Sequence, residues 1–229
     1  RGGGSGGAGA GKEPRSIQMV NVMAETGAAF RAAWADQFLS GCMALCFLCT
    51  MAAYGSISVM GGFGLEVAKL RQQVVSLAGV VQPVAVVLGS LAAAELLDSL
   101  GEMGTYLLGV SVLIFGLLAL GSGAHFHSYS AACFWVGMFC CGVGFGLVEP
   151  AFWKLVSSRA QKQNYGKVFS VKMFMETMGM AFGTYVWSNY LFDNIGSGTW
   201  MAGLGMFISA GVLVGVFWGA VLLHYTHLR

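Results

Sequence analysis

From residue 39 onward, long apolar runs alternate with short polar connections. Each run has about the 20 residues that an α-helix needs to cross roughly 30 Å of hydrocarbon. The pattern therefore predicts six transmembrane helices, over residues 39–60, 73–97, 104–122, 131–153, 168–191 and 199–223. The predicted fold class is an all-α integral membrane protein, with residues 39–229 as its membrane domain.

Two segments with different patterns precede these runs. Residues 1–16 are glycine-rich and too poor in apolar side chains to form a core, so we expect a tail. Residues 17–38 repeat apolar side chains at three- and four-residue steps, and their charged side chains fall off that stripe. This predicts an amphipathic helix that lies in the membrane interface. A soluble docking helix is the alternative interpretation.

The composition agrees with a membrane protein and argues against several functions. The chain is 56% hydrophobic and 10% charged, whereas a soluble domain carries about 25% charged residues. A net charge of +2 is too small to indicate binding to nucleic acid. No phosphate-binding loop, nucleophile elbow or metalloprotease helix is present, so we predict no catalytic residues, no cofactor, no metal site and no enzyme activity. The six cysteines fall within predicted spans, where we expect packing rather than disulfides.

The positions of the basic residues predict the topology. An even number of spans puts both termini on one side of the membrane. That side would carry nine basic residues, and the connections on the other side would carry Lys69 and Arg71 only. The positive-inside rule then assigns the termini and the 154–167 loop to the cytoplasmic or organelle-interior side.

The turn between the second and third predicted spans contains parts of a known signature. Residues 94–103 read AELLDSLGEM, and the signature has a glycine, an aspartate, a second glycine and several bases. Ala94 stands at the first glycine, and Asp98 and Gly101 match. The three basic positions hold residues that are not basic: Ser99, Glu102 and Met103.

A second region strengthens the likeness. Residues 137–186 contain a glycine-rich fourth span, a basic loop and a fifth span with glycines one turn apart. Over residues of about 73–190, the chain resembles the major facilitator superfamily of transporters. The resemblance implies half of a fold in which two six-span halves enclose the substrate. It also implies a degenerate gate motif at Asp98 and Gly101, because the family's gate uses the missing bases in charged contacts.

Ionisable residues inside the spans are the candidate site. Lys172 and Glu176 are four residues apart on one helix face, and Glu149 is expected at a similar depth on the preceding helix. Such charges in lipid are costly and indicate either a specific pair or a function. We predict an intramembrane charge cluster, which acts as a structural bridge or contacts a substrate or ion. Gly179 and Gly183 predict a tight helix-packing face.

Two functions follow from these observations. The chain supplies one half of the transporter fold, and its signature lacks the three basic residues. Both observations favour a non-catalytic subunit of a larger membrane complex, with other membrane subunits and lipids as partners. The start at Arg1 and the glycine-rich tail on the basic side favour an organelle inner membrane, mitochondrial or plastid. The alternative is a transporter half that moves a small solute as a dimer or with a partner half.

Overall fold

The described residues form long helices joined by short turns. The computed structural model describes residues 24, 27–31, 33–160, 164–191 and 203–227, which contain no β-strand. The α-helices are α1 Gln37–Glu66, α2 Gln72–Ser122, α3 Ser130–Arg159, α4 Tyr165–Val186 and α5 Leu204–His227. A 3₁₀ turn, His127–Tyr129, precedes α3, and a π-helical turn, Trp187–Leu191, follows α4. The predicted all-α fold class is confirmed.

Four of the described helices, α1, α2, α3 and α5, are long and apolar enough to cross a membrane. The helices run a few residues beyond most of the predicted spans, because a helix need not end where the hydrocarbon ends. Helix α1, for example, starts at Gln37, where the Asp36 side chain accepts hydrogen bonds from the amides of Phe38 and Leu39. Helix α4 falls outside this group and carries three charged residues: Lys167, Lys172 and Glu176.

Helix α2 reverses direction at Gly101. This residue has φ 74° and ψ 178°, a backbone conformation that glycine alone adopts at low cost. Gly142 of α3 lies against Ala85, and Gly144, two residues further along α3, lies against Leu113. A straight helix would separate residues 85 and 113 by roughly 42 Å. The chain therefore folds back at Gly101, and α3 packs between the two halves of α2.

Glycines allow the helices to approach closely. Gly179 of α4 lies against the Thr50 side chain, and Gly183 lies against the backbone of Met51. A side chain at either glycine would overlap α1. Small residues provide such close contacts between membrane helices, where the lipid supplies little hydrophobic driving force for association.

Buried hydroxyl groups link three helical segments. The hydroxyl of Ser56 in α1 is hydrogen-bonded to that of Ser209 in α5 at 2.6 Å. The indole N–H of Trp187, in the turn after α4, donates to the Ser209 hydroxyl at 2.8 Å. Hydrogen bonds between membrane helices contribute on average about 0.6 kcal/mol each. They fix the register of α1, α4 and α5 more than they stabilise the bundle.

The N-terminal predictions fall mainly outside the described residues. Residues 1–16 lie wholly outside them, and the 17–38 segment is described only in part. In that part, residues 27–31 are helical and Ala29 is buried. The Phe30 ring contacts the Phe174 ring of α4 with centroids 5.3 Å apart. These residues pack against the bundle, and the predicted position in the membrane interface stays a prediction.

The helix ends fall into two groups. Phe38, Gly101, Arg159 and His224 line one cavity of about 410 Å³. The start of α1, the reversal in α2 and the ends of α3 and α5 therefore lie at the same end of the bundle. The connections 67–71 and 123–129 lie at the opposite end, because the helices run between the two.

The conformation of Gly101 generates a stability prediction. Gly101→Ala should destabilise the protein by about 1–3 kcal/mol, because alanine tolerates a positive φ poorly. Gly79→Ala is the matched control, since Gly79 lies in the regular part of α2 and a Cβ there meets no atom within 4 Å. That control should be neutral or stabilising by about 0.5–1 kcal/mol. Thermal unfolding in detergent measures both, and equal stability of the two variants would contradict the role of the positive φ.

Candidate functional site

A buried lysine lies at the centre of the site. The side chain of Lys172 is 1% exposed, and its ammonium pairs with carboxylates on both sides. It donates to Glu149 Oε1 of α3, and to Glu176 Oε2 of its own helix at 2.8 Å. The structure thus brings together the three charged residues that the sequence pattern singled out. The Glu149 side chain is 44% exposed and that of Glu176 is 11% exposed.

Aromatic side chains hold this charge cluster in place. Trp153 lies one helical turn after Glu149 and donates its indole N–H to Glu149 Oε1. The Lys172 ammonium lies 4.3 Å from the Trp153 ring centroid, which adds a cation–π contact. The Phe169 ring of α4 stacks on the Trp153 ring, with the centroids 4.3 Å apart and the ring planes 11° from parallel. The lysine is therefore fixed by one turn of α3 and about two turns of α4.

A proline next to Glu149 loosens the helix at this point. Pro150 has no N–H, so the carbonyl of Gly146 loses its helical hydrogen-bond donor. Pro83 has the same effect in the first half of α2 and also lines the space beside the cluster. Helix-breaking residues at membrane depth occur where irregular backbone lines a cavity or is covered by protein.

A cavity of about 610 Å³ opens beside the cluster. Helices α1, α3 and α4 and both halves of α2 contribute to its wall. Most of the wall is apolar and aromatic, including Val86, Phe145 and Phe152. Its oxygen- and nitrogen-bearing side chains come from five segments that are distant in sequence: Thr50, Tyr54, Gln82, Tyr106, Glu149 and Glu176.

Several of these polar groups have no protein partner. The Tyr106 hydroxyl is buried and makes no hydrogen bond within the described residues. Among the same residues, no hydrogen bond is made by the Tyr54 hydroxyl or the Gln82 amide. The second oxygens of Glu149 and Glu176 are likewise uncommitted. An unsatisfied buried polar group costs about 1–3 kcal/mol, so native proteins contain few. Among the described residues, the Tyr106 hydroxyl is the one buried group in this position, and the half-buried Tyr54 and Gln82 lie on the wall of the same cavity. This wall is the candidate ligand site.

The degenerate gate motif lies elsewhere, at the reversal of α2. Asp98 is exposed and forms no ion pair within the described residues. Glu102 accepts a hydrogen bond from the Ser158 hydroxyl at 3.0 Å, which ties the reversal to the end of α3. Gly101 has a defined structural role there through its positive φ. The sequence motif located this turn but did not reveal that role.

Two residues of the site escaped the sequence analysis. Trp153 carried a usable signal, because it follows Glu149 by four residues and so shares its helix face. Tyr106 carried none, since an aromatic residue in an apolar run is ordinarily a packing residue. Its significance depends on the missing hydrogen-bond partner, which only the three-dimensional arrangement shows.

The shared lysine generates a prediction about coupled stability. Glu149→Gln and Glu176→Gln should each be tolerated moderately, because Lys172 keeps one carboxylate. The double variant should lose more stability than the two single losses together, since a buried charge without its partner costs about 3–5 kcal/mol. A double-mutant cycle by thermal unfolding measures the coupling. Glu66→Gln, at an exposed helix end, is the control, and strictly additive losses would contradict the shared role.

Comparison with known proteins gives one result. Neither a search of curated proteins nor a search of solved structures finds a match. A family model described as the Major Facilitator Superfamily matches residues 5–184. The match includes α1 to α3 and nearly all of α4, and with them every charged residue of the cavity. The chain is a multi-pass integral membrane protein, and it belongs to the Major Facilitator Superfamily, whose members are transporters.

Proposed function

We propose that this chain is the solute-binding unit of a membrane transporter for small molecules. The cavity beside Lys172 carries the proposal. A purely structural ion cluster needs neither a space of about 610 Å³ nor unpartnered polar groups around it. Ligand sites combine a largely apolar wall with a few polar groups in a volume of about 300–1,000 Å³.

We further propose six membrane crossings. The two halves of α2 run in opposite directions along α3, which supports counting them as separate crossings. Helix α4 packs along α1 through Gly179 and Gly183, and the charge of Lys172 is compensated within the bundle. Its charged residues are therefore compatible with a position inside the membrane.

Transport requires a second unit in this proposal. A single six-helix unit binds solute on one side only, whereas alternating access rocks one unit against another. A second copy of the chain or a partner half would complete the pathway. When the two units rock against each other, the Glu149 side of the cavity would open first to one side of the membrane and then to the other.

A non-catalytic subunit of a larger complex is the second candidate. The exposed acidic turn favours it, because Glu95 and Asp98 have no base beside them among the described residues. Such a turn is suited to contact a basic neighbour in an assembly. In this case an organelle inner membrane, mitochondrial or plastid, would be the expected location, and other membrane subunits would be the partners.

The proposed topology predicts the result of a labelling experiment. His125→Cys and Ala160→Cys, each introduced into the chain in sealed vesicles, should react with a membrane-impermeant maleimide from opposite faces. Residues 123–129 and the end of α3 lie at opposite ends of the bundle, which is the physical reason. The unmodified chain, whose own cysteines are at least partly buried, is the control. Labelling of both positions from the same face would contradict six crossings.

Solute uptake tests the function. Vesicles that contain the chain are incubated with a mixture of small metabolites, and their contents are compared with empty vesicles by mass spectrometry. At least one solute should accumulate. Tyr106→Phe should reduce its uptake about 2- to 10-fold, the loss expected for one hydrogen bond, while leaving thermal stability unchanged or higher.

Tyr129→Phe is the matched control for this experiment. Tyr129 is 67% exposed, lies in the turn before α3 and is not among the residues that line the cavity. The control should transport like the unmodified chain. Absence of any accumulated solute, together with native isolation of the chain among many unrelated subunits, would reject the transporter proposal and favour the accessory subunit.

A further inference from the structure

We infer that the ligand of this cavity is a small organic cation, an amine or quaternary ammonium with an apolar body. The inference rests on the proposed solute-binding function and specifies its substrate class. It depends on three independent features of the wall: its charge balance, its uncommitted hydrogen-bonding groups and its aromatic side chains.

The charge balance favours a cation. Glu149 and Glu176 share the single ammonium of Lys172, so the ionised cluster has one negative charge in excess. No basic residue lines the cavity within the described part of the chain. An uncompensated charge at membrane depth is costly. A cationic ligand would supply the missing positive charge.

The cavity offers little to an anion. The ammonium of Lys172 is the nearest base, but it donates to two carboxylates and its side chain is 1% exposed. An anionic ligand would have to displace one of those carboxylates and approach the other. The uncommitted carboxylate oxygens accept hydrogen bonds only, and they call for a ligand that brings N–H donors or positive charge.

The remaining wall suits an organic ion better than a metal ion. Tyr54, Phe145 and Phe152 present aromatic rings around a space of about 610 Å³. Aromatic rings attract ammonium groups through their negative faces, and the attraction grows when the cation is desolvated. A metal ion would instead need about six oxygen ligands in a tight shell. The Tyr106 hydroxyl, buried and without a partner, adds a hydrogen-bonding group for a polar substituent.

Thermal stabilisation by matched probes tests the inference. The purified full-length chain is titrated with benzyltrimethylammonium, benzyl alcohol or benzoate, which share one ring and differ in charge. The cation should raise the melting temperature saturably, and the neutral and anionic probes should not. Glu149→Gln should weaken the cation's apparent affinity about tenfold or more, because it removes the excess negative charge. Each variant is compared with its own ligand-free melting temperature, and Glu66→Gln is the control.

The outcomes separate the substrate class from the function. Stabilisation by benzoate or benzyl alcohol to the same degree, or by sodium or potassium chloride alone, would overturn the organic cation. So would accumulation of only neutral or anionic solutes in the uptake experiment, although the transporter function would then stand. Saturable, Glu149-dependent stabilisation by the cation, without solute uptake and with native isolation of the chain among many unrelated subunits, would support the ligand class and reject transport. An absence of stabilisation by the cation would reject the organic cation, and no solute uptake with that same native isolation would reject the transporter as well.

Discussion

The ion cluster around Lys172 determines how the rest of the membrane domain is arranged. An ammonium buried in a low-dielectric bundle must be neutralised nearby, and the carboxylates come from α3 and α4. Those two helices are therefore held at the depth where Glu149 faces Lys172. Both carboxylates also line the cavity, whereas Lys172 does not. One electrostatic constraint thus aligns two helices and gives the cavity its charge.

Residue size explains why a cavity exists at that depth. Glycines bring α1 close to α4 at Gly179 and Gly183, and bring α3 close to both halves of α2. On the cavity wall the facing positions are large. Tyr54 contacts Phe145 with ring centroids 5.5 Å apart, and Tyr106 contacts Phe152 at 5.7 Å. These rings lie on the cavity wall and hold the helices apart there, while the glycines let other faces of the same helices approach closely.

Hydropathy and rare charges revealed much of this from the sequence. Apolar runs predicted the helices, and ionisable residues are so infrequent in such runs that Glu149, Lys172 and Glu176 stood out as a cluster. It was harder to predict which side of each helix faces the protein interior, because lipid and protein interior are both apolar. The hydrophobic pattern along such a helix therefore differs little between its two sides. Helix α2 illustrates this, since Leu91 is 67% exposed while Leu113, equally apolar, is 1% exposed. The cavity could not be predicted from the sequence, because it is formed by segments that are far apart in the chain.

The energetic cost of the cluster bears on its purpose. Apolar residues of similar volume often stabilise a protein as well as a buried ion cluster does, or better, so stability alone is a weak reason for Lys172 and its two partners. A cluster with one ammonium and two carboxylates is weaker still as a structural device, because its charges do not cancel. The imbalance becomes useful when a positively charged ligand can complete it. The second carboxylate would reduce stability while the cavity is empty and would provide affinity for a cation when the cavity is filled. Binding sites commonly cost the fold stability in this way.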